Sequence, residues 1–157
     1  GAKLPEGWVA HFYGRMNEML LAGVPLVPGV LDVLDRLDAA GVPYAMGSNG
    51  SLAKMGITLG QHGIAARFRA VLSGQALGKP KPAPDVYLAG AAACGVPPQA
   101  CVVIEDSAQG ARAGLAAGAR VLGFAAHGTG APTARSLSAL GVPLFQRMDE
   151  LPELIGV

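Results

Sequence analysis

The chain has 157 residues, of which 51% are hydrophobic and 15% charged, and its net charge is +1. That length supports one core of ordinary size, and the apolar fraction excludes a disordered, solvating chain. Near-neutrality excludes long-range attraction to nucleic acid or an anionic membrane, and two cysteines, Cys94 and Cys101, are too few for a disulfide scaffold.

Taken in chain order, Pro5 to Leu21 predicts a helix, because Val9, Phe12, Tyr13, Met16, Met19 and Leu20 recur at steps of three and four and form one apolar stripe. Gly1 to Gly7 is polar and has no apolar core after it, so it is not a secretory signal. The run Gly23-Val24-Pro25-Leu26-Val27-Pro28-Gly29 breaks the chain and reads as a hinge or domain junction. A second helix is expected from Gly29 to Ala40, with Leu31, Leu34 and Leu37 inward, Asp32, Asp35, Arg36 and Asp38 outward, and Gly41 as its C-terminal cap.

A repeated unit follows. Pro43 to Met46 predicts a short strand, then Gly47-Ser48-Asn49-Gly50 and a helix through Leu59. Phe68 to Leu72 predicts another strand, with a loop to Pro82 and a helix over Ala83 to Cys94 opened by Pro84-Asp85. Cys101 to Ile104 is a buried strand, Ser107 to Ala117 a helix ended by Gly118, and Arg120 to Phe124 a strand. A helix over Pro132 to Leu140, an edge strand over Pro143 to Phe145 and a terminal helix over Met148 to Leu154 complete the chain. The longest stretch without a charged side chain, Val86 to Ile104, is cut by Gly95-Val96-Pro97-Pro98 and is therefore helix, turn and strand, not a membrane span. Short strands alternating with helices predict an α/β fold: a doubly wound parallel sheet, which binds ligands at the carboxyl ends of its strands.

Three strand ends carry candidate chemistry. Ser48 and Asn49, between glycines, offer a hydroxyl and free N–H groups that suit a phosphate; the alternative is that either one simply caps the next helix. Lys79 and Lys81 lie in a loop stiffened by Pro80, Pro82 and Pro84, where a lysine can meet phosphate as a point charge; the alternative is solvated surface charge. Glu105 and Asp106 follow a buried strand, where two carboxylates are costly without a cation such as Mg2+; the alternative is that Asp106 or Ser107 caps the following helix.

The order of these motifs is more specific than any one of them. It resembles the haloacid dehalogenase superfamily. Lys81-Pro82-Ala83-Pro84-Asp85 and Glu105-Asp106-Ser107-Ala108-Gln109-Gly110 are similar to the branch with a small helical cap, which includes β-phosphoglucomutase and sugar-phosphate phosphatases. Pro25-Leu26-Val27-Pro28-Gly29 resembles that branch's return from cap to core. The resemblance implies a Rossmann-like core over residues 25–157, lacking its first strand, with the end of a helical cap and hinge over residues 1–24. It implies catalysis by Ser48, Lys81 and Asp106, phosphate binding by Ser48, Asn49 and Lys81, and Mg2+ at Glu105 and Asp106. Lys79 is the runner-up to Lys81.

Family members open with an Asp-x-Asp strand. None of the six aspartates (32, 35, 38, 85, 106 and 149) has that spacing, so a nucleophilic Asp is expected in an N-terminal segment of the same protein upstream of this chain, and the chain alone is expected to be inactive. The expected function is a cytoplasmic, Mg2+-dependent phosphohydrolase acting on a small phosphorylated metabolite through an aspartyl-phosphate, with no nucleic-acid or membrane partner. A phosphomutase of the same family and a non-catalytic phosphate-binding or assembly module are the alternatives. A receiver domain would carry its acidic pair early and its lysine late, the reverse of the order here. A dinucleotide fold would need Gly-x-Gly-x-x-Gly after the first strand.

Overall fold

A computed structural model describes residues 4–157. The first three residues of the expected cap segment lie outside the described residues. Helix α1 spans Trp8–Leu21 and starts behind Gly7. Its apolar stripe is covered only in part: Met16 and Leu20 are half-buried, Met16 Sδ lying 3.4 Å from Lys54 Nζ, while Trp8, Val9, Phe12, Tyr13 and Met19 are exposed.

Helix α2 spans Val30–Ala39 and buries Val33, Leu34 and Leu37. Leu31, expected inward, is exposed. At about 100° per residue it stands roughly 110° from the centre of the stripe formed by residues 33, 34 and 37, and Val33 takes its place.

Strand β1 (Met46–Ser48) pairs in parallel with β2 (Val71–Ser73), with Met46 opposite Val71 and Ser48 opposite Ser73. Helix α3 (Leu52–Gln61) connects them, followed by a 3-10 turn at Ala65–Arg67. Both strands sit later than the apolar runs predict. The runs mark core packing, with Tyr44 and Phe68 edge to face at 5.2 Å, whereas the pairing continues into Gly47 and Ser48, which hydropathy does not mark.

Helix α4 (Asp85–Cys94) leads through a 3-10 turn at Pro98–Ala100 to β3 (Val102–Glu105). Helix α5 (Ala108–Ala116), strand β4 (Arg120–Phe124), helix α6 (Pro132–Ser138) and strand β5 (Leu144–Phe145) follow. A 3-10 turn at Met148–Glu150 and helix α7 (Leu151–Ile155) close the fold. Strands β3, β4 and β5 form a second parallel sheet in that order. No helix among the described residues is long and apolar enough to cross a membrane.

The fold is therefore α/β with parallel strands, in two sheets: β2–β1 and β3–β4–β5. β1 and β3 are not hydrogen-bonded to each other. One apolar cluster joins the sheets, combining Val33, Leu34 and Leu37 of α2 with Leu122 and Phe145, and packing against Met46 and Ile104. Beside it lies a cavity of about 410 Å³, lined by apolar side chains that include Val33, Leu34, Met46, Ile104, Met148 and Leu151.

Candidate active site

Ser48 is the last residue of β1. Neither it nor Asn49 caps α3; that role belongs to Ser51, whose side chain accepts from the Lys54 N–H at 3.4 Å. The Ser48 Oγ accepts from the Gly50 N–H at 3.0 Å, which leaves its own proton uncommitted among the described residues. Asn49 uses its side chain as a strut to the lysine loop. Its Oδ1 accepts from the Lys81 N–H at 2.7 Å, and its Nδ2 donates to the Lys81 carbonyl at 3.2 Å. The Asn49 N–H has no acceptor among the described residues.

The two lysines part company. Lys79 is exposed and pairs with Asp85 at 2.8 Å. The Lys81 side chain is only 9% exposed. Its Nζ donates to the Gly47 carbonyl at 2.9 Å and to the Glu105 carboxylate. One ammonium therefore ties the carboxyl end of β1 to that of β3.

Glu105 is buried, and both of its oxygens are occupied. Oε1 accepts from Lys81 and from the Tyr87 phenol. Oε2 accepts from the Ser107 hydroxyl at 2.9 Å and the Ser107 N–H at 3.3 Å. Burial pushes its carboxyl up, but the hydrogen bonds from Lys81, Tyr87 and Ser107 and the lysine charge outweigh that and hold it below its ordinary value. Burial first, and then the charge on Glu105, push the Tyr87 phenol well above the ordinary tyrosine range. Ser107 also caps α5, accepting from the Gly110 N–H at 3.1 Å. The carboxylate thus lies against the electropositive start of a helix.

The expected metal pair is split by this geometry. Glu105 is committed to the lysine, the phenol and Ser107, so it anchors and does not present a free ligand oxygen. Asp106 is exposed, and its carboxylate takes no hydrogen bond among the described residues. No group of three or more His, Cys, Asp or Glu that could hold a metal ion occurs among them. The donor set nevertheless suits Mg2+ in part, because that ion keeps several waters and is held by one or two carboxylates with substrate phosphate.

Tyr87 escaped the sequence reading. Periodicity counts it as one more apolar residue, yet it is the lone aromatic in the alanine-rich α4, and that was its available signal. The side-chain role of Asn49 was missed as well; a short polar side chain between glycines gives no hint of its reach to residue 81. Of the histidines, His62 is bonded to the Val24 carbonyl at 2.7 Å, and His11 and His127 are exposed.

Residues 2–118 match the family model described as haloacid dehalogenase-like hydrolase. Hexitol phosphatase A of Escherichia coli (strain K12) is 37% identical over 102 residues, which are 64% of this chain and 46% of that protein. This chain thus spans just under half of that relative. A conserved haloacid dehalogenase-like protein of unknown function from Agrobacterium tumefaciens str. C58 superposes with a TM-score of 0.84 at 32% identity, over 98% of this chain and 70% of that one. A HAD family hydrolase from Deinococcus radiodurans R1, with bound phosphate and sodium, superposes with a TM-score of 0.83 at 32% identity, over 97% and 68%.

Proposed function

Because the chain belongs to the haloacid dehalogenase-like hydrolase family, we propose that it carries most of the phosphate-handling apparatus of a phosphohydrolase for a small phosphorylated metabolite of the sugar-phosphate kind. The observation that carries this reading is the single ammonium shared by two strand ends: Lys81 Nζ on the Gly47 carbonyl and on Glu105. Around it, three donors have no acceptor among the described residues: the Ser48 hydroxyl, the Asn49 N–H and the third proton of Lys81. Fixed donors of this kind offset the charge on a transferring phosphoryl group. The similarity to hexitol phosphatase A supports the substrate class, and the phosphate bound to the Deinococcus hydrolase supports the ligand.

In this reading Asp106 holds Mg2+, which when bound neutralises phosphoryl charge. Glu105 keeps the lysine in place. The nucleophile is an aspartate from a segment outside the 157 residues. Its carboxylate oxygen bonds to phosphorus as the P–O bond to the alcohol breaks; water then hydrolyses the aspartyl-phosphate and releases inorganic phosphate. Two observations support the outside segment: the absence of Asp-x-Asp spacing in the chain, and the lack of pairing between β1 and β3 beside an apolar cavity. Residues 1–24 then end a helical cap, residues 25–157 form the core, and the enzyme works in the cytoplasm without nucleic-acid or membrane partners.

The test is phosphate release from a panel of sugar phosphates by the complete protein with Mg2+. Lys81→Ala is expected to lower kcat/KM by about 10²–10³-fold, the loss typical of removing one charge-stabilising donor, and Lys79→Ala to stay within about twofold of the parent, as an exposed ion pair contributes little. Full activity in Lys81→Ala overturns the assignment of that lysine, and no release from any phosphate ester overturns the reading as a whole.

A further inference from the structure

We infer that Tyr87 is a positioning residue that aims the Lys81 ammonium, holding it from two sides; the inference rests on the phosphohydrolase reading above. The Tyr87 phenol donates to Glu105 Oε1, the oxygen that also takes the lysine. The Tyr87 ring lies beneath the same ammonium, with Nζ 4.7 Å from the ring centroid, inside the range of a cation–π contact.

Counting protons shows why both contacts matter. An ammonium has three. The Gly47 carbonyl takes one and Glu105 takes a second. The ring covers one side of the nitrogen, and the third proton has no oxygen acceptor among the described residues, which makes it available to a phosphoryl oxygen. A lysine otherwise carries its charge on a flexible four-carbon stem, and without the phenol the carboxylate that receives it would be held from the protein side by Ser107 alone. Packing also holds the ring itself: Tyr87 is half-buried against the apolar cluster that contains Val103, Ala111 and Leu137. Bulk alone does not account for the residue, because any aromatic would fill the space but only tyrosine places an O–H on a buried carboxylate.

The test is a double-mutant cycle in the complete protein, with para-nitrophenyl phosphate and Mg2+. Tyr87→Phe removes the hydroxyl and keeps the ring. It is expected to lower kcat about tenfold with KM within about twofold, the pattern of an interaction made in the transition state. Made in Lys81→Ala, the same change is expected to alter kcat by less than about twofold, because Tyr87 acts through the lysine. Tyr87→Leu, which also removes the ring, is expected to lose more than Tyr87→Phe. Equal fold-losses in both backgrounds, or parental kcat in Tyr87→Phe, overturn the inference. Full activity in Lys81→Ala instead overturns the role of the lysine, so the two failures are distinguishable. If Lys81→Ala falls below detection, calorimetric binding of vanadate, an analogue of the transferring phosphoryl group, to the parent, the two single variants Lys81→Ala and Tyr87→Phe and their double variant supplies the cycle: coupled losses support the inference, and independent losses or no loss in Tyr87→Phe overturn it. Thermal melts of each variant separate aim from folding, because a merely structural Tyr87 would lower the melting temperature without changing kcat below it.

Discussion

Gly110 is the residue on which the Glu105–Lys81 pair depends most sharply. A Cβ built there would stand 1.9 Å from Glu105 Cδ and 2.1 Å from each carboxylate oxygen. The first turn of α5 cannot yield by that much, so Gly110→Ala drives the carboxylate out. Lys81 then remains largely buried without its counter-ion. Removing one partner of a buried pair costs about 3–5 kcal/mol; relaxation of the lysine toward solvent at the strand ends argues for the lower figure here, about 3 kcal/mol. Urea unfolding of Gly110→Ala is expected to show that loss, and kcat in the complete protein is expected to fall about 100-fold. Parental stability and turnover would mean that Glu105 does not lie on this turn. At this scale the sequence was informative where side-chain chemistry is expensive: prolines around a lysine and carboxylates after a buried strand are choices that need a reason. It was silent where meaning comes from contact. Nothing in Tyr87 or Gly110 as letters tells that one donates to Glu105 and the other leaves room for it.

Among the elements, α2 is fastened to the turn before β2 by Arg67. Its Nη2 reaches Asp35 at 2.8 Å and Asp38 at 2.6 Å, and its Nε reaches Asp38 at 3.0 Å. The Tyr44 hydroxyl donates to Asp38 at 2.8 Å. These aspartates follow the helical period and read as a solvated face; two of them are ties between elements. Hydrogen bonds from Tyr44 and then Arg67 hold the Asp38 carboxyl below its ordinary 3.8. A carboxyl with a lower pKa in the folded state than in the unfolded one stabilises the fold above the unfolded value, and that stabilisation fades as pH falls through the folded value. The melting temperature of Asp38→Asn is therefore expected to lie below that of the parent at pH 7, and the gap to shrink by pH 3. A gap that stays constant between those pH values would show that charge on Asp38 does not carry the tie. Element types were legible because period and punctuation are local. Strand boundaries shifted because pairing, not hydropathy, sets where β1 and β2 run, and Leu31 turned outward because the direction of a stripe depends on what it meets.

For the molecule as a whole, alternation of short strands with helices was enough to predict parallel α/β architecture, since parallel strands need crossovers. The exposed side of α1 and the cavity between the sheets belong to a larger scale than pattern reaches. Both are apolar surface left open to water, and an unpaired strand edge beside such surface is a standing invitation to another strand. In the function proposed above, a segment outside residues 1–157 fills that opening, and further cap helices cover α1. The chain as given is expected to bind the dye ANS at its open cavity, as exposed apolar surface does, and the complete protein is expected to bind much less and to melt more than about 4 °C higher, a shift above what about 1 kcal/mol gives at this size. Trp8, the sole tryptophan and 43% exposed, is expected to emit at shorter wavelength in the complete protein as the cap covers it. Equal dye binding and equal melting in the two proteins would mean that the opening between β1 and β3 receives no strand, and the aspartyl-phosphate route would lose the segment that supplies its nucleophile.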